Sequence, residues 1–344
     1  MSTLKNTENK LLNDIRTLID ESRNFVAITA NTTLVLLYWK IGNRLNSEVL
    51  NSKRAEYGKQ VVATLAQNLT QQYGKGWGEN TLRHSLRSAE TFTEEQILSA
   101  VRRHLGWTHL KTIMYLKDST QREFYIEMCI AERWTTRTLR NKIDGMLYER
   151  TAISKKPKKL IQKEIAQLRE QDKLSPDLVF KDPYFLNFLG LKDTYSEKDL
   201  ENAILHELEL FILELGMGFT FVERQKRMVI DNEDFKLDLL FFHRKLKRLI
   251  AVELKLGKFK PAYKAQMELY LRWLEKNEMQ QGEKKPIGLI LCAEGSSQQI
   301  ELLQLDKAGI KVAQYLTELP DKKLLQQKIQ QAITISKQQL ENND

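Results

Sequence analysis

Apolar positions in the first half of the chain recur every three or four residues. Leu11, Ile15, Leu18 and Ile19 form one such stripe, and Val61, Val62, Leu65, Ala66 and Leu69 form another. That spacing predicts helices with one apolar face. The second stripe ends in Tyr73-Gly-Lys-Gly-Trp-Gly-Glu-Asn80, whose three glycines permit a tight, irregular turn. Asn80 is placed to cap a new helix over residues 81–90, on which Arg83 and Arg87 fall one turn apart. Helix, turn and helix with two arginines suit a helix-turn-helix or winged-helix DNA-binding module, and equally an ordinary helical hairpin.

The pattern changes after residue 196. A helical stripe over 197–216 starts behind Ser196 and stops at Gly216. Three strand-like runs follow, at 219–230, 235–243 and 248–256, with turns at 231–234 and 244–247. A helix over 261–277 then leads to an apolar strand at 286–292, another helix, and a short strand near 311–315. The order α-β-β-β-α-β-α-β predicts an α+β domain whose sheet opens as a meander and continues through crossovers.

Charge divides the chain in the same place. Residues 1–160 contain 26 Lys+Arg against 16 Asp+Glu, whereas residues 161–344 contain 28 against 29. A basic half joined to a neutral half suggests a polyanion-binding region beside one with another task. The basic run Ser154-Lys-Lys-Pro-Lys-Lys159 separates them. The expected organisation is a helical domain at 1–155, a basic linker and helix at 156–175, and a second domain at 176–344. Cys129 and Cys292 stand alone, and the five histidines lack metal-ligand spacing, so disulfide frameworks and zinc sites are not expected. The longest apolar run, 34–39, is too short for a bilayer, and the polar, acid-containing N-terminus is unlike a signal peptide. A cytoplasmic protein without membrane contact is expected.

The candidate chemistry lies in the meander. Asp238 sits in Leu237-Asp-Leu-Leu-Phe-Phe242 and Glu253 in Ile250-Ala-Val-Glu-Leu-Lys-Leu256. A carboxylate within an apolar strand is costly unless paired or metal-bound. A hairpin centred between Lys245 and Leu246 makes positions 238 and 253 directly opposed, on one face of the sheet. Lys255, two residues beyond Glu253, shares that face. Two hard oxygen donors and a lysine suit Mg²⁺ or Mn²⁺ and an attacking water at a phosphate; a plain cross-strand ion pair is the alternative. Arg224 and Gln225 on the first strand are candidate phosphate contacts.

Asp238 and Glu253-Leu-Lys255, behind a helix and a meander, resemble the core of the PD-(D/E)XK nuclease superfamily. Gln266 and Tyr270 are similar to the Q-x-x-x-Y motif of its RecB-like branch. Phe211-Ile-Leu-Glu-Leu-Gly-Met-Gly-Phe219, Val252-Glu-Leu-Lys-Leu-Gly-Lys-Phe-Lys-Pro261 and Ile287-Gly-Leu-Ile-Leu-Cys292 resemble the bacterial YhcG-like nucleases. Leu37-Tyr-Trp-Lys-Ile-Gly42, Arg54-Ala-Glu-Tyr-Gly58 and Leu105-Gly-Trp-Thr-His109 extend the likeness towards the N-terminus. Leu237 stands where the superfamily's name has proline. The resemblance implies a restriction-endonuclease-like core and a Mg²⁺-dependent DNA endonuclease of recombination, repair or defence, behind a helical DNA-binding domain. It also implies an acid from the first core helix, with Glu201 the first choice and Glu207, Glu209 and Glu214 competing. RNA cleavage, a non-catalytic DNA-binding or assembly role, and a homodimer remain open at this point.

Overall fold

The computed structural model describes residues 2–51, 55–191, 194–294, 300, 303 and 305–341. The chain forms two compact units, Met1–Asn141 and Lys142–Asp344.

The first unit is helical: α1 (Ser2–Asn51), α2 (Ala55–Tyr73), α3 (Glu79–Thr91), α4 (Glu94–Arg102), α5 (Trp107–Ile113) and α6 (Ser119–Glu132), with α7 (Thr136–Asp144) at the boundary. One core joins α1, α2 and α3 through Leu45, Val62, Ala66 and Leu82. Gly42 permits this approach, since a Cβ there would lie 1.8 Å from the Ser85 carbonyl oxygen. The buried Trp39 indole donates to the Phe92 carbonyl at 2.9 Å, and the Tyr38 ring contacts both Trp77 and Trp107. α3 begins at Glu79 behind Gly78, so Asn80 lies inside the helix rather than capping it. The stripe Leu11, Ile15, Leu18 and Ile19 is helical but exposed, not buried. Within α1, Lys10–Glu48 is long and apolar enough, by length and composition, to cross a membrane. No unbroken apolar run marks this span, because polar residues interrupt it throughout.

The second unit comprises α8 (Leu147–Arg150), α9 (Lys158–Gln171), α10 (Pro176–Val179), β1 (Tyr184–Phe185), α11 (Glu197–His206), α12 (Leu208–Leu215), β2 (Phe219–Ile230), β3 (Glu233–His243), β4 (Arg248–Lys258), α13 (Pro261–Asn277), β5 (Ile287–Glu294), β6 (Ile310–Leu316) and α14 (Lys322–Glu341). Its six-stranded sheet has the order β1-β6-β5-β4-β3-β2. β2, β3 and β4 run antiparallel, and β5, β6 and β1 add in parallel. Asp231 and Asn232 both take positive φ at the β2–β3 turn, the conformation of a tight two-residue hairpin. α13 crosses over from β4 to β5 and packs closely, since a Cβ on Gly288 would lie 2.5 Å from Met267 Cγ. The core on this side gathers Met228, Leu237, Leu240, Met267, Tyr270, Leu274 and Ile290.

Four features depart from the sequence reading. The helix over 197–216 is broken at Glu207, giving α11 and α12. The short edge strand β1 was not foreseen. The segment expected as a linker folds within the second unit, with Ile161, Ile165 and Leu168 of α9 buried. The compact units meet at residue 141/142, because Met146 packs with Leu325, Ile329 and Ile333 of α14. The helix expected between β5 and β6 falls largely outside the described residues.

Candidate active site

The β3–β4 hairpin pairs His243 with Arg248 and continues to Leu239 with Val252. One step further, Asp238 faces Glu253 in the register that the turn centre predicts. Here side chains join the backbone pairing. The Asp238 N–H donates to Glu253 Oε1 at 3.4 Å, and the Leu254 N–H donates to Asp238 Oδ2 at 2.9 Å. Lys255 Nζ lies 2.8 Å from Glu253 Oε2. The expected carboxylate pair and lysine therefore meet on one face.

β2 and α11 complete the cluster. Gln225 takes φ 48 within a strand, a conformation uncommon for a residue with a Cβ. Its amide Nε2 donates to Glu201 Oε2 at 2.8 Å and to Asp238 Oδ1 at 3.3 Å. Gln225 thus bonds to carboxylates, although the sequence reading offered it as a phosphate contact. Glu201 is the helix acid brought to the site. Glu214 points elsewhere, bonded to Arg150 at 2.5 Å and to the Phe185 N–H at 2.9 Å. Glu207 lies at the helix break and Glu209 is exposed. A cleft of about 500 Å³ is lined by Glu197, Lys198, Glu201, Asn202, Arg224, Gln225 and Asp238.

Glu197 was missed by the sequence reading. Its carboxylate accepts from the Leu256 N–H at 3.2 Å, and it stands one turn before Glu201 on the same helix face. That i,i+4 spacing was the available signal.

Gln266 donates to the Tyr270 hydroxyl at 2.7 Å, and that hydroxyl reaches the Lys236 carbonyl at 3.4 Å. Among the described residues, this pair makes no hydrogen bond to Asp238 or Glu253. Arg83 and Arg87, on α3 of the first unit, are paired along their own helix with Glu79 and with Glu90 at 3.4 Å.

The electrostatics of the cluster are those of too little positive charge. Burial, and then the charge of Asp238, push Glu253 up to about 7, against the pull of Lys255. Asp238 is raised chiefly by burial, and Glu201 by burial and then Asp238. Burial works against the Lys255 ammonium, but Glu253 and Asp238 hold it above its ordinary value. Its neighbours thus favour the charged form of Lys255.

Residues 177–330 match the YhcG PDDEXK nuclease domain, and residues 14–150 match the DUF1016 N-terminal domain. YhcG of Escherichia coli (strain K12), a protein named for a nuclease, is 32% identical over 339 residues, covering 90% of each chain. The chain belongs to the YhcG family of PD-(D/E)XK nucleases. Solved structures show a slighter likeness. A repair endonuclease from Pyrococcus abyssi is 18% identical, covers 38% of this chain and 50% of its own, and has a TM-score of 0.27. EndoMS in a complex with double-stranded DNA is 18% identical over 38% of this chain and 49% of its own, with a TM-score of 0.28. The chain spans about half the length of those structures, and the family match does not lean on them.

PD-(D/E)XK nucleases generally use divalent metal ions. Among the described residues, no group of three or more His, Cys, Asp or Glu side chains is arranged to hold a metal. Mg²⁺, however, is commonly held by one or two carboxylates and completed by water and substrate phosphate. Asp238 and Glu253, hard oxygen donors with surplus negative charge, fit that demand.

Proposed function

We propose that this nuclease is a divalent-metal-dependent endonuclease that hydrolyses DNA phosphodiester bonds. The observation that carries this reading is the convergence of buried Glu253, half-buried Asp238 and one charged lysine on a single face of the β3–β4 hairpin. Asp238 and Glu253 would hold Mg²⁺ or Mn²⁺. When bound, the metal supplies positive charge against the phosphate and lowers the pKa of bound water.

The chain's own residues do the positioning. Lys255, held by Glu253, directs an N–H towards the attacking water or the phosphate oxygens. Gln225 ties Glu201 to Asp238, so α11 and β3 present their acids together. Glu197, Glu201, Gln266 and Tyr270 are supports around this centre. Arg224 and Lys198 line the cleft where a phosphate backbone would run, and the basic excess of residues 1–160, with Arg83 and Arg87, would hold the flanking duplex. A second copy of the chain would supply a second centre for the opposite strand.

The test is to incubate the full chain with plasmid DNA and Mg²⁺ or Mn²⁺, with and without EDTA. Cleavage that vanishes with EDTA and returns with added metal is expected. Undiminished cleavage in EDTA by a preparation free of other nucleases would sink the metal reading. RNA cut in preference to DNA would sink the substrate reading.

A further inference from the structure

The first half of α1 has no role in the site, yet its pattern is regular. Residues 10–27 are exposed throughout, a stretch about 27 Å long at helical rise. In proteins most helical stability comes from packing an apolar face, and this stretch has its apolar face uncovered. Its apolar residues repeat every seven positions. Leu11, Leu18 and Phe25 make one row, Leu12, Ile19 and Val26 a second, and Ile15 lies between them. All seven are 45% to 71% exposed. Ser22 takes the place that Ile15 holds one heptad earlier. A seven-residue repeat is the spacing of one helix packed along another, because it keeps the apolar seam facing the partner as both supercoil.

The charges beside the stripe identify that partner. Asp14 and Glu21, seven apart, fall along one edge, while Arg16 and Arg23, also seven apart, fall along the other. In a parallel pair of identical helices, the acidic edge of each lies beside the basic edge of its mate. An antiparallel pair would set acid beside acid and base beside base. The stripe therefore complements a parallel copy of itself. A lipid surface is a poorer occupant, since Asp14, Asp20 and Glu21 outnumber Arg16 and Arg23 beside the stripe, where an anionic surface favours Lys and Arg.

We propose that two copies of this chain associate through a parallel coiled coil formed by residues 11–26 of α1. The inference rests on the dimer reading above and gives that dimer its contact.

Sedimentation velocity on the full chain, over about a hundredfold range of concentration, tests it. A dimer is expected. Leu18→Glu with Phe25→Glu should weaken association by about 100-fold or more, because charge would be buried at the seam. Circular dichroism should show the fold retained, and metal-dependent cleavage of single strands should persist. Arg16→Glu with Arg23→Glu should also weaken the dimer, and adding Asp14→Lys with Glu21→Lys should restore it. Restoration separates a specific contact from a folding defect. A wild-type dimer indifferent to these changes overturns the coiled coil while leaving a dimer elsewhere. A wild-type monomer overturns the coiled coil and the dimer alike, and one that binds anionic lipid vesicles through this stripe assigns the stripe to a membrane. Neither result bears on the metal site, which is read by cleavage.

Discussion

Among the groups of sheltered ionisable side chains in the second unit, two carry opposite balances. Around Glu214, Arg150 stands at 2.5 Å and Lys181 Nζ at 3.7 Å, so two cations serve one acid. Burial alone would raise Glu214, yet Lys181 and Arg150 together hold it below the usual carboxylate range. The excess charge falls on Lys181, which burial draws down to about 7. Around Asp238 the ratio is reversed: Glu253, Asp238 and Glu197 share Lys255. Burial and mutual repulsion there leave Glu253 at about 7. Glu253 is as buried as Arg150 and Lys181, but Asp238 and Glu201 open onto the cleft. A cluster that carries its own counter-charge ties the fold together; one with surplus negative charge is built to take a cation from outside.

Removing a cation from each group should therefore have different consequences. The largest effect is expected at the cation-rich cluster. Arg150→Ala leaves Glu214 buried with Lys181 alone and should cost about 3–5 kcal/mol of stability, measured by chemical denaturation. Cleavage per folded molecule should be unchanged. A stable Arg150→Ala variant would show that this cluster does not hold the fold.

His243 sharpens the comparison, since it is buried with no acid partner. Its Nδ1 accepts from the Leu246 N–H at 3.1 Å, and burial lowers its pKa to about 4. The unfolded chain takes a proton near its ordinary value of about 6.5, whereas the folded chain resists until about pH 4. This group's contribution is present above pH 6.5 and is lost as pH falls from about 6.5 to 4, by on the order of 3 kcal/mol. Across that window the wild type should lose stability relative to His243→Phe, as denaturation curves of the two will show. Parallel curves would mean that His243 is protonated in the fold.

At the acid-rich cluster the loss should fall on chemistry instead. Lys255→Ala should slow cleavage by about 10²-fold or more with little change in stability. A smaller effect is expected from Gln225→Ala, which unties Glu201 from Asp238: about 10-fold in cleavage, with some return in Gln225→Asn if bridging is the role. Equal loss in both Gln225 variants, together with lowered stability, would make Gln225 a strand residue only.

Much of this was legible because strand pairing is arithmetic. Once the turn at 244–247 was placed, the opposition of Asp238 and Glu253 followed from the count alone. The family resemblance, the α-β-β-β-α-β order and the placing of Lys255 stood on the same short-range pattern. What escaped depended on distant partners. β1 is two residues long, and its strand character comes from β6, more than 120 residues away. Glu214 and Glu201 look alike in sequence, and partners from other parts of the chain set them apart: Arg150 and Lys181 for Glu214, Gln225 for Glu201. The α1 stripe was visible, but periodicity does not say whether an apolar face is covered by its own fold.

The central claim is that Asp238 belongs to a cation-binding site and not to a structural ion pair. Asp238→Asn keeps the shape and removes the charge, so melting, DNA affinity and Mg²⁺-dependent cleavage should be measured on one preparation. The account predicts cleavage down by at least about 10²-fold, DNA affinity retained, and a melting temperature without metal that is unchanged or slightly raised, because repulsion from Glu253 is relieved. Cleavage at the wild-type rate, with a lowered melting temperature, would contradict it.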